Sequence, residues 1–189
     1  MSLKLKIIIG STRPGRVGPS VASWVHEAAK AQDAFEVELV ELAEFDLPLL
    51  DEPKHPAMQQ YQHEHTKRWS AAMADGDAYV FVTPEYDFFA PASLVNALQC
   101  LAVEWRYKPA GTVCYGGVSG GLRSSQELRQ LIGNKNMMPL PQVVPVPFVA
   151  SHIDEEGKFS ATEKMNEGLK NMFRELAKWA VALKPMREK

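Results

Sequence analysis

The chain has 189 residues, 46% of them hydrophobic and 23% charged, with a formal net charge of -2. This balance suits one globular domain over residues 1–189 and excludes a basic surface for nucleic acid or an anionic membrane. No apolar run is long enough to span a bilayer, the N-terminus lacks a signal-cleavage pattern, and Cys100 and Cys114 show no metal or redox spacing, so the expected setting is a reducing cytoplasm.

Leu3 to Ile9 reads as a short apolar strand of the kind covered on both faces in parallel sheets. A polar, glycine-bearing loop follows. Pro19 then opens a helix, where its missing N–H needs no partner, and Val21, Ala22, Val25, Ala28 and Ala29 give that helix one apolar face. Glu36 to Leu42 alternates as a second strand. Phe45 to His55, with Pro48 and Pro53, reads as an ordered loop. A helix is expected from near Gln62 to Ala74, a third strand over Asp77 to Thr83, and a helix over Leu94 to Glu104. Gly111 to Tyr115 forms a fourth strand and Leu122 to Ile132 a helix. Gln142 to Val149 forms a fifth strand, placed at a sheet edge because Pro145 and Pro147 cannot donate to a ladder. A long C-terminal helix carries Met165, Leu169, Met172, Phe173, Leu176, Ala180 and Leu183 on one face. Five alternations of strand and helix predict an α/β fold: a doubly wound parallel sheet with helices on both faces. The flavodoxin-like strand order 2-1-3-4-5 fits.

In such a sheet, ligands bind beyond the carboxyl ends of the strands, near the point where strand order reverses. Three loops fall there. Gly10-Ser11-Thr12-Arg13-Pro14-Gly15-Arg16-Val17-Gly18 leads into a helix N-terminus, where N–H groups, the helix dipole and two arginines suit an anion. It matches neither the Walker A nor the GxGxxG pattern; two solvated arginines on a flexible loop are the other reading. Thr83-Pro84-Glu85-Tyr86-Asp87-Phe88-Phe89-Ala90-Pro91 is stiffened by two prolines and carries three aromatics, which suit a flat apolar ring or, equally, a hydrophobic plug or subunit contact. Tyr115-Gly116-Gly117-Val118-Ser119-Gly120-Gly121 has four glycines, as in close backbone approach to a ligand or in an ordinary tight turn. Together the loops suit a phosphorylated aromatic ligand such as FMN.

These residues, with Leu94-Val95-Asn96-Ala97, Glu104-Trp105 and Lys108-Pro109, resemble the NAD(P)H-dependent FMN reductases and quinone reductases of the flavodoxin-like fold. The likeness covers about the first two-thirds of the chain. It implies that Ser11, Arg13, Arg16, Val17 and Gly18 hold the FMN phosphate and ribityl chain. It implies that Pro84, Glu85, Tyr86 and Asp87 edge the isoalloxazine through backbone groups, and that Gly116, Gly117, Ser119 and Gly120 close its pyrimidine side. It further implies NADPH or NADH as reductant, a quinone or flavin as small-molecule acceptor, a ping-pong reaction, and a homodimer or homotetramer with Trp105 near the active-site rim. One departure stands out: the family pattern has Asn where this chain has Asp87. A carboxylate accepts but cannot donate a hydrogen bond, and near a ring that becomes anionic on reduction it lowers the flavin potential or is itself protonated.

An electron-carrying flavodoxin and a redox sensor acting through a protein partner are the competing functions. The near-neutral charge and the two loop arginines disfavour the first. His63 and His65, two apart on an expected helix, point to different faces and read as solvated rather than as metal ligands. Asp154-Glu155-Glu156-Gly157-Lys158 reads as a solvated turn.

Overall fold

A computed structural model describes residues 2–187. Ten main elements alternate: β1 (Leu3–Ile9), α1 (Gly18–Lys30), β2 (Phe35–Glu41), α2 (Glu64–Ala74), β3 (Ala78–Pro84), α3 (Ala92–Gln99), β4 (Pro109–Tyr115), α4 (Leu122–Asn134), β5 (Met138–Val146) and α5 (Glu163–Leu183). The five strands form one sheet in the order β2-β1-β3-β4-β5, with every neighbouring pair parallel. The predicted fold class and strand order are therefore the observed ones.

The two-residue period of the strands sorts their side chains between two cores. Ile7, Val80, Val82 and Val113 face α1 and α5, joining Val21, Val25, Leu169, Phe173 and Leu176. Ile8, Tyr79 and Phe81 face α2, α3 and α4, joining Trp69, Leu94, Leu98, Leu128 and Ile132. β3 and β4 are buried along their whole length, so their sequences run apolar rather than alternating.

Trp105 belongs to this second core and not to the rim of the site. It is fully buried, 6.0 Å from Trp69 and 5.1 Å from Tyr79 between ring centroids, and its Nε1 donates to the Leu98 carbonyl. The expected helix over Leu94–Glu104 stops at Gln99, and Val103–Trp105 forms a separate short 3-10 turn. The buried Glu104 carboxylate explains the break, because it accepts the Ala102 N–H as well as the hydroxyls of Ser70 and Tyr61.

The fifth strand lies at the edge, as its prolines require, but runs about four residues earlier than expected. Pro139, Pro141 and Pro145 are inside it and Pro147 is beyond its end. Phe148, with φ +48, turns the chain away. At the opposite end of the sheet, the buried Lys108 Nζ donates to the carbonyls of Ala74 (2.8 Å) and Met73 (3.4 Å) and to Tyr79 Oη (3.1 Å). A lysine one residue before β4 thus satisfies the carbonyls that end α2.

Candidate cofactor site

The three unusual loops meet at the carboxyl end of the sheet. β1 hands over at Gly10, whose N–H donates to the Val82 carbonyl of β3 at 2.9 Å, and whose carbonyl accepts Ser93 Oγ from α3 at 2.9 Å. The chain then loops to α1, which begins at Gly18 with Val17 at its N-cap. Val17 offers no side-chain cap, and Pro19 sits in the first turn. The leading N–H groups of α1 therefore lack the side-chain acceptor that a helix start usually recruits, and the dipole adds positive potential there.

The predicted residues of this loop differ in how they are held. Arg13 is exposed, its guanidinium 5.9 Å from the Tyr86 ring centroid. Arg16 is partly buried and paired through Nη2 with Glu41 at the end of β2, at 2.8 Å. Ser11 is fully buried, and its hydroxyl shares a 2.8 Å hydrogen bond with Tyr86 Oη. That bond joins the first loop to the second.

The second loop contains a tight turn not evident in the sequence. Tyr86 N donates to the Phe89 carbonyl at 3.0 Å and Phe89 N to the Tyr86 carbonyl at 2.9 Å, so Asp87 and Phe88 form a two-residue hairpin loop. Both have positive φ, +48 and +78, the type I′ pattern that favours Asn or Asp first and Gly second. Asp87 obeys the rule and Phe88 breaks it, which hid the turn. Phe88 and Phe89 stand 59% and 58% exposed.

Glu85 does more than line the site with backbone. Its side chain, 8% exposed, accepts the Arg123 N–H at 3.0 Å through Oε2 and Arg123 Nη1 at 2.9 Å through Oε1. Burial alone would raise the Glu85 carboxyl; hydrogen bonds from Ser119 and Arg123 outweigh it and hold the group below its ordinary value.

In the third loop, Gly116 and Gly117 are tied to the end of β5: Gly116 N–H donates to the Val146 carbonyl, and Phe148 and Val149 N–H donate back to the Gly117 and Gly116 carbonyls. Gly120 and Gly121 have φ of +61 and +84, and a Cβ at Gly121 would lie 2.5 Å from the Tyr115 nitrogen. Glycine at 121 is a backbone necessity, with the chain folded onto itself. Gly117 faces open space.

Tyr115 is the residue that sequence reasoning quoted without giving it a role. It is buried, and its Oη lies where a Cβ on Gly18 would meet it at 2.8 Å, so the ring reaches from the end of β4 to the start of α1. Among the described residues, its Oη and Arg16 Nε are buried without a hydrogen-bond partner. Burial raises the Tyr115 hydroxyl well above its ordinary value, so it is a neutral donor.

The sequence pattern of the family described as NADPH-dependent FMN reductase matches residues 3–151. A reductase of that description from Schizosaccharomyces pombe is 42% identical over 140 residues, covering 73% of this chain and 70% of its own. Another, from Nectria sp, is 39% identical over 153 residues, covering 78% and 76%. The chain belongs to the NADPH-dependent FMN reductase family. It is a flavin-dependent oxidoreductase, and its cofactors are FMN and NAD(P)H. A quinone reductase of Pseudomonas putida is also similar, at 28% identity with 92% of each chain covered. Among solved structures, FerB of Paracoccus denitrificans, a flavoenzyme NAD(P)H:(acceptor) oxidoreductase, shares the fold with a TM-score of 0.72 at 19% identity, covering 95% of this chain and 98% of its own.

The reductase's own residues fit FMN. An uncapped helix start with Arg13 beside it suits a phosphate. Of the three buried side-chain polar atoms without a partner among the described residues, Tyr115 Oη, Arg16 Nε and Ser125 Oγ, the first two stand at that same helix start, where an oxygen-rich ligand would satisfy them. A separate cavity of about 490 Å³ lies at the other end of the sheet, lined by Asp75, Asp77, Glu104, Lys108 and Arg187. Its acidic groups are already held, Asp75 by Lys4 and Lys6, Asp77 by Arg187, and Glu104 by hydroxyls. The strand-end loops are the better match to a cofactor.

His63 and His65 are closer together than their spacing suggested. His63 is the N-cap of α2 with an extended backbone, outside the helix. The two rings stack with centroids 5.2 Å apart, beside Asp51, whose Oδ1 lies 3.0 Å from His65 Nε2.

Proposed function

We propose that this reductase oxidises NAD(P)H and reduces quinones, free flavin or similar flat acceptors, the two substrates taking turns in one slot. The observation that carries this reading is the meeting of an uncapped helix start, an aromatic turn and a glycine loop at the ends of β1, β3 and β4. FMN, when bound, supplies the two-electron chemistry, accepting hydride from NAD(P)H and passing electrons to the acceptor.

The protein binds and orients. Arg13 and the leading N–H groups of α1 hold the phosphate, with Ser11, Arg16, Val17 and Gly18 shaping the cradle. Tyr115 donates its hydroxyl to the ribityl region. Pro84, Glu85, Tyr86 and Asp87 line one side of the ring through backbone groups. Gly116, Gly117, Ser119 and Gly120 close the other. No side chain has to move a proton for NAD(P)H oxidation. The exposed Phe88, Phe89, Val118 and Phe148 around these loops form the apolar rim where a flat acceptor docks and a second copy of the chain packs, giving a homodimer or homotetramer. No described helix is long and apolar enough to cross a membrane.

The test is an anaerobic absorption spectrum of the purified protein with NADPH or NADH, followed by a quinone. Bleaching by a nicotinamide, recovery with quinone and parallel double-reciprocal plots are expected. A yellow protein unresponsive to both nicotinamides would replace the enzyme reading with an electron carrier or sensor. Intersecting plots would end the shared-slot reading.

A further inference from the structure

Phe88 holds a backbone conformation that bulky side chains avoid, φ +78, at a turn position suited to glycine. Such strain persists only where the surroundings over-determine it. Those surroundings converge on one residue, Arg123, in the first turn of α4. Its guanidinium carbon lies 4.1 Å from the centroid of the Phe88 ring. Its Nη1 and its backbone N–H both donate to Glu85, two residues before the turn. Arg123 thus touches both ends of the strained segment at once, from an element that follows the glycine loop directly.

We infer that Arg123 is a positioning residue: through Glu85 and the face of Phe88 it clamps the 85–89 turn against the 116–121 loop and so sets the width of the slot between them. This rests on the cofactor-site reading above. The guanidinium suits the task because one planar group can pair with a carboxylate along its edge and stack on an aromatic ring with its face. Lysine has no such face. The Glu85 side chain is 8% exposed and that of Arg123 46%, so the pair is shielded on its carboxylate side and open to water on the other. The clamp needs no ligand. In the apoprotein it should already hold the Tyr86–Phe89 pair closed.

The test uses the full-length apoprotein with four variants: Arg123→Ala, Arg123→Lys, Glu85→Gln and Arg123→Ala combined with Phe88→Gly. Two quantities are read: FMN affinity by quenching of flavin fluorescence, and hydrogen exchange of the Tyr86 and Phe89 amides without FMN. Arg123→Ala should bind FMN about tenfold or more weakly and exchange both amides faster. Arg123→Lys should recover little. Glu85→Gln should behave like a milder Arg123→Ala and serves as the fallback if the latter does not fold. Phe88→Gly, by removing the strain, should restore both affinity and slow exchange to the Arg123→Ala protein, a rescue that loss of a general structural contact would not show. Unchanged exchange in Arg123→Ala overturns the clamp, as does failure of the rescue. If the wild-type protein itself takes up no FMN, the cofactor-site reading fails, and the exchange data still decide whether the clamp exists.

Discussion

Arg13 and Arg16 look alike in the sequence, two arginines three apart on one glycine-bearing loop. The fold separates them. Arg16 is committed to Glu41, 25 positions away on β2, a partner no local pattern announces. Arg13 stays exposed beside the helix start. Arg13→Ala should therefore weaken FMN retention about tenfold, the lower end for a hydrogen bond to a charged group because the site is open to water; equilibrium dialysis against FMN measures it. Asp87 shows the same division between readable and hidden. Its substitution for the family Asn was legible, but its φ of +48 was not, because Phe88 occupies the position where glycine would have signalled the turn. Asp87→Asn keeps a residue that tolerates this conformation, so the turn survives and only the charge is lost. The flavin potential should rise, read by redox titration against a reference dye; an unchanged potential would show that the carboxylate does not sense the ring. Tyr115 lay in plain view in the sequence, yet a hydroxyl left without a partner becomes visible only once burial is known.

At the scale of elements, apolar period and proline placement located the five strands and five α-helices of the described residues, though not the short 3-10 turns between them, because both cores need faces of defined width. Boundaries slipped where a residue just beyond an element redirects the chain. Glu104 stops α3 by accepting the Ala102 N–H, and Phe148 ends β5. Lys108 is the clearest case of a cap supplied from a distance. Burial, with the charge of Arg187 added, pushes its ammonium down to about 8 from an ordinary 10.5. Below pH 8 the lysine is charged in both folded and unfolded chains, and the buried charge is destabilising. Between pH 8 and 10.5 the unfolded chain holds a proton that the folded chain has released, so stability should rise with pH, by at most about 1.4 kcal/mol per unit. Urea melts of wild type and Lys108→Met across that window should show the rise only in the former. The glycine loop offers a second test. Gly121→Ala forces a Cβ to within 2.5 Å of the Tyr115 nitrogen at φ +84, and should destabilise the protein by at least about 1–2 kcal/mol, measurable as a lowered urea midpoint.

For the whole molecule, the division of the sheet's side chains between two cores was legible from alternation, whereas the long-range ion pairs that trim its amino end were not. Lys4 and Lys6 of β1 hold Asp75 beyond α2, and Lys6 also pairs with Glu38 of β2. Burial alone would raise the Asp75 carboxyl, but hydrogen bonds from the two lysines bring it down to about 2. Its folded value is depressed below the ordinary 3.8, so its contribution is complete above that pH and is lost as pH falls towards 2. Asp75→Asn should lose stability at pH 6 and leave a shallower acid limb below pH 4 in a thermal-melt series.

The prolines of β5 carry a consequence beyond the strand's position. Pro139, Pro141 and Pro145 leave β5 without three of its N–H donors, while the Met138 N–H just before them turns inward to the Lys108 carbonyl. The prolines therefore remove donors from the side of the strand that no neighbour covers. A foreign strand laid along that border would find carbonyls with too few N–H groups to answer them, so the sheet cannot be extended there from molecule to molecule. A border closed to strand pairing agrees with the proposal above that copies pack through side chains, among them the exposed phenylalanines around the cofactor loops.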